Sequence, residues 1–429
     1  MSAKGDKPFR GKALELLCPG PFRRYIIGSL ISDTGTWMQV MAQAWVMSTL
    51  TNKAIWLGMV NLAAGIPTIL LTMPGGSAAD RFDKRKILIA TQVWQIALAL
   101  ILGWMVMTNR IQIWQIILMA SLLGICIAFE MPAISAFVPE LVSHEQIGAA
   151  VAMDRSVFHG SRLIGPSLAG WMVSRWGAAS AFFANAFSFI ALIVAIASIP
   201  PRKEGTKEEE EQRRSGILDG FRYVKSDRIM LLMITLIALT TIFVFPVISV
   251  MLPLYVRNIL HLGADRMGIL MAVSGSGSLA GSLGFLTIAR ENRFKFMTAN
   301  AAAVASALFC MSRSNSFLLT ATAMGFLAIG LSMNFALANT IVQERAPSPL
   351  RGRISAVFGL SFFGLMPVAG LGVPGLSDLI GMRTALAVAS LIFALGAFLV
   401  LNAAGRKVCE RPVTGVPEAE PEPEPVVVP

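Results

Sequence analysis

Three carboxylates and three bases sit inside runs that are otherwise apolar: Asp33, Glu130, Asp154, Arg155, His159 and Arg162. An ionisable group held in hydrocarbon is costly, so each is a functional candidate. Asp33 follows Arg24 by nine residues, about 14 Å along a helix rising 1.5 Å per residue, near the middle of a bilayer. Arg162 is similarly deep, and Arg155, His159 and Arg162 recur at i, i+4 and i+7, one face of a helix. An Asp33–Arg162 pair is one expectation. Substrate or proton would compete with it, and protonating Asp33 would remove a charge before a cavity reorients. A static pair that only fixes helix packing is the alternative. Glu130 lies nearer the end of its run, where it either takes part in proton coupling or anchors the helix exit. His159 by itself reads as a packed polar residue.

A second cluster, "MPGGSAADRFDKRK" at 73–86, places six charged side chains between two long apolar runs. Gly75 and Gly76 permit close helix approach and a tight exit. Asp80 can accept hydrogen bonds from a helix N-terminus or pair with an Arg. Arg81, Lys84, Arg85 and Lys86 supply positive charge at a membrane face.

The elements that must position these groups are membrane helices. The 429-residue chain is 55% hydrophobic and only 14% charged, with a mean hydropathy of +0.66; soluble domains carry about 25% charged residues. Twelve apolar runs fall at 23–49, 55–79, 86–107, 112–136, 147–174, 178–199, 229–256, 265–289, 294–312, 315–343, 353–377 and 383–403. Each is long enough for a bilayer-spanning helix and too long for a barrel strand. The first run is expected to remain in the membrane rather than to be a cleaved signal. Alternate connections differ in charge: one set, including both tails, holds 27 Lys and Arg, and the other holds seven. The positive-inside rule then puts both termini in the cytoplasm. The net charge of +11 is topological, with no nucleic-acid partner required.

The expected domains are a cytoplasmic tail (1–21), a six-helix bundle (22–199), a charged cytoplasmic linker (200–228), a second six-helix bundle (229–405) and a disordered acidic Pro/Glu tail (406–429). Within the linker, "GILDGFRYV" suits a short interfacial helix. The halves look duplicated: a shift of 204 residues places Val138 on Val342, Glu140 on Glu344 and Gly148 on Gly352. Two six-helix repeats flanking a central site are a transporter architecture. The four cysteines, Cys18, Cys126, Cys310 and Cys409, read as free thiols. No metal motif, P-loop or nucleophile–base set is visible, so no cofactor, metal site, ATP-driven pump or membrane enzyme is expected.

The 73–86 cluster resembles the signature of the major facilitator superfamily between helices two and three, Gly-x-Leu-Ala-Asp-Arg-x-Gly-Arg-Arg/Lys. Here it reads from Gly76 to Arg85, with Ala78 for the Leu and Asp83 for the second Gly. "ADRFDKR", "FRRYIIGSLISDTGTWMQ", "FEMPAISAFVPELV" and "RLIGPSLAG" resemble the subgroup that contains the enterobactin exporter. The resemblance implies an all-α membrane fold of twelve helices in two pseudo-symmetric six-helix bundles. It implies a cytoplasmic latch of Gly76, Asp80, Arg81, Lys84 and Arg85 that holds the bundles together when the cavity opens outward. The fifth span carries Ala152, Ser161, Gly165-Pro166 and Ala169-Gly170 at the positions of a small-residue motif associated with antiporters; ordinary helix packing is the alternative. Helices one, four, seven and ten line the cavity in this superfamily, which makes Gln39, Gln43, Asn334 and Asn339 candidate lining residues.

The functional expectation is a secondary transporter of the cytoplasmic membrane, or of a membrane derived from it. It exports a small molecule (a siderophore, drug-like amphiphile or metabolite) by alternating access coupled to protons. Transport of iron or an iron chelate, in an iron-handling membrane of magnetosome type, is a second expectation. A non-transporting scaffold working through the linker or acidic tail is a third. Subunit number is not legible in the sequence.

Overall fold

The computed structural model describes residues 15–200 and 217–410. Most of the N-terminal tail, the charge-dense start of the linker, the acidic tail and the side chain of Cys409 lie outside the described residues. Twelve long helical elements run in order: α1 Pro21–Leu50, α2 Ala54–Arg81, α3 Lys84–Met107, α4 Ile113–Glu140, α5 Ile147–Trp176 and α6 Ala179–Ala197 form the first six-helix bundle. α7 Arg228–Asn258, α8 Ala264–Gly284, α9 Arg293–Arg313, α10 Phe317–Arg345, α11 Ser348–Ile380 and α12 Met382–Glu410 form the second. A short helix, Ile217–Ser226, forms at the "GILDGFRYV" segment and packs on the start of α11.

Local chemistry sets the helix ends. Asp83 accepts from the Arg85 N–H at the start of α3 (2.9 Å), and Asp227 accepts from Ile229 and Met230 at the start of α7. Gln112 and Gln115 form a reciprocal capping pair before α4. Gly177 and Gly381, at φ of 80° and 84°, turn the chain after α5 and α11. Ten of the twelve elements are long and apolar enough to cross a membrane by composition alone. The other two, α1 and α5, are the ones that carry Asp33 and the Asp154–Arg162 charges. α7 and α11 are each interrupted by a π-helical turn, at Val247–Met251 and Leu360–Gly364.

Within the first bundle α1 packs on α5 and α6, α2 on α4, and α3 on α4 and α6. Within the second, α8 packs on α10, α9 on α10 and α12, and α7 on α12. The duplication extends to a polar contact. Lys84 at the start of α3 binds Glu140 at the end of α4 (2.9 Å), and Arg293 at the start of α9 binds Glu344 at the end of α10 (2.8 Å).

Two seams join the halves, α5 against α8 and α2 against α11. We call the end where α2 turns into α3 proximal and the opposite end distal. At the distal end the Ala54 and Ile55 N–H groups donate to the Asp378 carboxylate (2.7 and 2.9 Å), and the Arg257 guanidinium donates to the Ser48 carbonyl and to Asn52. Backbone approaches too close for a Cβ continue inward. Gly58 meets Gly370, Gly65 meets Pro367, Gly170 meets Ala264 and Gly268, and Gly275 meets Leu163 beside Arg162. Proximal of that level no glycine of α2, α5 or α8 meets the other half among the described residues: Gly277 and Gly281 of α8 pack on Gly325 and Ile329 of α10, Gly75 of α2 on Ala128 of α4, and Gly76, Gly148 and Gly160 meet nothing within 4 Å. The halves are sealed distally and part toward the proximal end.

Candidate functional site

The cleft between the halves is walled on one side by α5. Arg155, His159, Arg162, Pro166 and Gly170 form a single stripe along that helix, spaced by four, three, four and four residues. Pro166 and Gly170 seal the distal part of the stripe against α8. The same face carried proximally presents Arg162, His159 and Arg155 where α8 has moved away. Arg155 and His159 are exposed on this part of the helix.

α1 supplies the groups beside that stripe. The Tyr25 hydroxyl donates to Asp154 (2.9 Å), the Ser29 hydroxyl donates to Asp33 (3.1 Å), and Thr34 meets Ser161 (3.3 Å). Trp37 lies under the Arg162 guanidinium, 5.3 Å from its ring centre, and edge-on to Phe158. The expected Asp33–Arg162 ion pair does not form. Trp37, one turn distal of Asp33, holds Arg162 at its own level, while Asp33 turns to Ser29. The charges of α5 whose fields reach Asp33 are Asp154 and Arg155.

Glu130 of α4 accepts from the amides of Gln92 (2.5 Å) and Gln95 (2.8 Å) on α3 and lies within the field of Asp33. The Gln92 carbonyl oxygen is buried without a partner. Tyr25, Trp37, Gln92 and Gln95 are absent from the sequence-derived set. The available signal for the glutamines was their spacing, one helical turn apart inside an apolar run.

In the second half, aromatic rings gather at the π-turn of α11. Phe362 packs on Phe245 of α7 (5.5 Å), on Phe335 of α10 (5.3 Å) and on its neighbour Phe363 (5.1 Å). Phe362 precedes the Gly65–Pro367 contact by five residues, so the rings lie just proximal of where the α2–α11 seam ends. Phe363 is 64% exposed.

Two of the four expected lining residues face elsewhere. Gln39 is buried and accepts from Asn185 of α6 (2.8 Å), and Asn334 is buried and accepts from Asn300 of α9 (2.8 Å). Both sit on the helix face turned into their own bundle. Gln43 and Asn339 are half-buried. In the fifth-span motif Ser161, Gly165, Pro166, Ala169 and Gly170 are buried at helix contacts, with Gly165 against Thr34 and Trp37, whereas Ala152 is exposed.

Of the latch residues, Asp80 and Arg81 are exposed, Lys84 binds Glu140, and Arg85 donates to the carbonyls of Ile196 and Ala197 (3.1 and 3.2 Å). These contacts of Lys84 and Arg85 brace the first bundle. Close helix approach belongs to Gly75; a Cβ at Gly76 would meet nothing within 4 Å. Among the described residues no three His, Cys, Asp or Glu side chains gather as a metal site, and Cys18, Cys126 and Cys310 are free.

The family model for transmembrane secretion effectors matches residues 14–424. The staphyloferrin A transporter of Staphylococcus aureus (strain NCTC 8325 / PS 47) is 26% identical over 264 residues, which cover 60% of this chain and 65% of that protein, just under two thirds of its length. The multidrug efflux pump Tap of Mycolicibacterium fortuitum is 22% identical over 377 residues, 85% of this chain and 91% of that one. A bacterial homologue of the human lysosomal transporter Spinster, solved inward-facing and occupied, shares the fold at a TM-score of 0.67 and 14% identity, covering 96% of this chain and 100% of that one.

Proposed function

Since the chain belongs to the transmembrane secretion effector family of the major facilitator superfamily, we propose that it exports a small molecule across the cytoplasmic membrane by alternating access, driven by protons moving inward. The observation that carries the proton coupling is the set Asp33, Asp154 and Glu130. These carboxylates sit within membrane helices, Asp33 and Asp154 beside the cleft and Glu130 set back from it, and each accepts from a neutral donor rather than from an ion-pair partner. A carboxylate so held can take up a proton without breaking an ion pair. Asp33 is the central member, within electrostatic reach of both others.

With the proximal end in the cytoplasm, as the Lys and Arg distribution requires, the conformation is open to the cytoplasm and closed to the outside. The Asp80–Arg85 segment then belongs to the opposite state, in which the proximal ends of the halves would meet. Likeness to the staphyloferrin A transporter supports an iron chelate as one cargo class, and likeness to Tap supports drug-like molecules.

The test is dissipation of a pH gradient in everted vesicles offered siderophores, iron salts and amphiphilic drugs. A substrate-specific response, lost in Asp33→Asn and retained after removal of residues 412–429, is the expected result. A response unchanged in Asp33→Asn moves coupling away from Asp33. Silence of the folded protein across the panel, with loss of cellular function on tail removal, favours a scaffold.

A further inference from the structure

The cleft contains an imbalance of hydrogen-bonding capacity. Its carboxylates are engaged: Asp154 by Tyr25, Asp33 by Ser29, and Glu130, set back, by two glutamines. Its cations are not. Among the described residues neither Arg155 nor Arg162 donates a hydrogen bond or makes an ion pair. Arg162 rests only on the face of Trp37, which orients the guanidinium and leaves its N–H edge uncommitted. Arg155 and His159 are exposed, and they extend from the mouth of the cleft toward Arg162 at the level where the halves part. At a corresponding depth the second half offers rings: Phe362 with Phe245 and Phe335, and Phe363 beside it.

We propose that the cleft takes an anionic amphiphile. A carboxylate or similar planar oxyanion is received by Arg155 and His159 at the mouth and held at the floor by Arg162, while the apolar or aromatic body lies against the Phe362 cluster. This rests on the transporter reading and names its substrate class. An arginine fork matches a planar oxyanion in a way a point charge does not. Trp37 keeps that fork in one plane, and the facing rings give edge and face contacts to an unsaturated body. An anion entering this cleft fills donors that are unpaired. A cation entering it meets the exposed Arg155 guanidinium at the mouth.

The probes are naphthoate and its cationic counterpart naphthylmethylammonium, measured by thermophoresis on the full chain in lipid nanodiscs. Naphthoate is expected to bind with a clear preference over the cation. Arg162→Gln should weaken naphthoate by about 10- to 100-fold, the range for losing a charge-assisted hydrogen bond. Arg162→Lys should recover part of that loss, and Phe362→Ala should weaken both probes. Arg155→Gln replaces an exposed residue and carries the test if Arg162→Gln does not fold; it is expected to lower naphthoate affinity. Equal or tighter binding of the cation, or naphthoate binding indifferent to both arginines, overturns the proposal. The vesicle assay separates the two readings. Proton flux evoked by the cation alone keeps the transporter and ends the anionic class. Arginine-dependent naphthoate binding without flux for any compound keeps the anion site and ends the proton-driven transporter.

Discussion

Glu130, half-buried, shows how much a carboxylate among helices depends on side chains from another helix. Two amides one turn apart on α3 hold its oxygens, and a hydrogen bond to a charged group contributes about 1.5–3 kcal/mol. Gln95→Leu is therefore expected to lower the thermal unfolding temperature in detergent. Glu130→Gln is expected to lower it less, because the Gln92 carbonyl, buried without a partner, gains a donor once the amides reorient. An unfolding temperature lower for Glu130→Gln than for Gln95→Leu would refute this account. At this scale the charges were legible because an apolar background exposes them. Their partners were not. Counting residues put Asp33 and Arg162 at similar depths, but one turn of offset decides a contact. Trp37, which fills that turn, looks in sequence like any apolar ring.

Helices meet at single small residues, and adjacent glycines separate the effects. Gly75 faces the Ala128 carbonyl across the α2–α4 contact, whereas Gly76 faces open space. Overpacking a close contact costs about 1–3 kcal/mol. Gly75→Ala should thus reduce the yield of monodisperse protein on size exclusion, and Gly76→Ala should leave it unchanged. Equal yields would remove the packing argument. The same reasoning makes Gly165→Leu destabilising, since Thr34 and Trp37 already occupy that space. Helix positions followed from apolar runs broken by charge, and every expected run has its helix. The π-turns in α7 and α11 had no such signal. They show in the structure as local changes of hydrogen-bond register, at Val247–Met251 and beside the Phe362 cluster, that no apolar period encodes.

The whole molecule is two similar bundles closed at one end. The repeat was legible as offsets between small residues and glutamates, and the duplicated Glu140–Lys84 and Glu344–Arg293 contacts give that repeat a physical basis. Which end closes was not legible, because it depends on backbone approach between elements far apart in the chain, such as Ala54 and Asp378 or Gly170 and Gly268. Two predictions belong here. An Asn52→Cys/Asn258→Cys pair, whose amides are 3.5 Å apart, should cross-link on oxidation and arrest substrate movement, with recovery on reduction. Asp378→Ala should shift spin-label distances across the distal end toward separation, changing the population ratio by about tenfold for a loss near 1.4 kcal/mol; unchanged distances would exclude Asp378 as a closing group. That contact has a further meaning. The N-cap residue of α2, Lys53, offers no side-chain acceptor to its first N–H groups and its first turn has no acidic residue, so Asp378 is an N-cap lent by the other half of the protein. Parting the distal ends then includes the uncapping of a helix, which contributes about 0.5–2 kcal/mol beside the Arg257 contacts and the close-packed seams. Any solute that binds the bare end of α2 would act as a wedge.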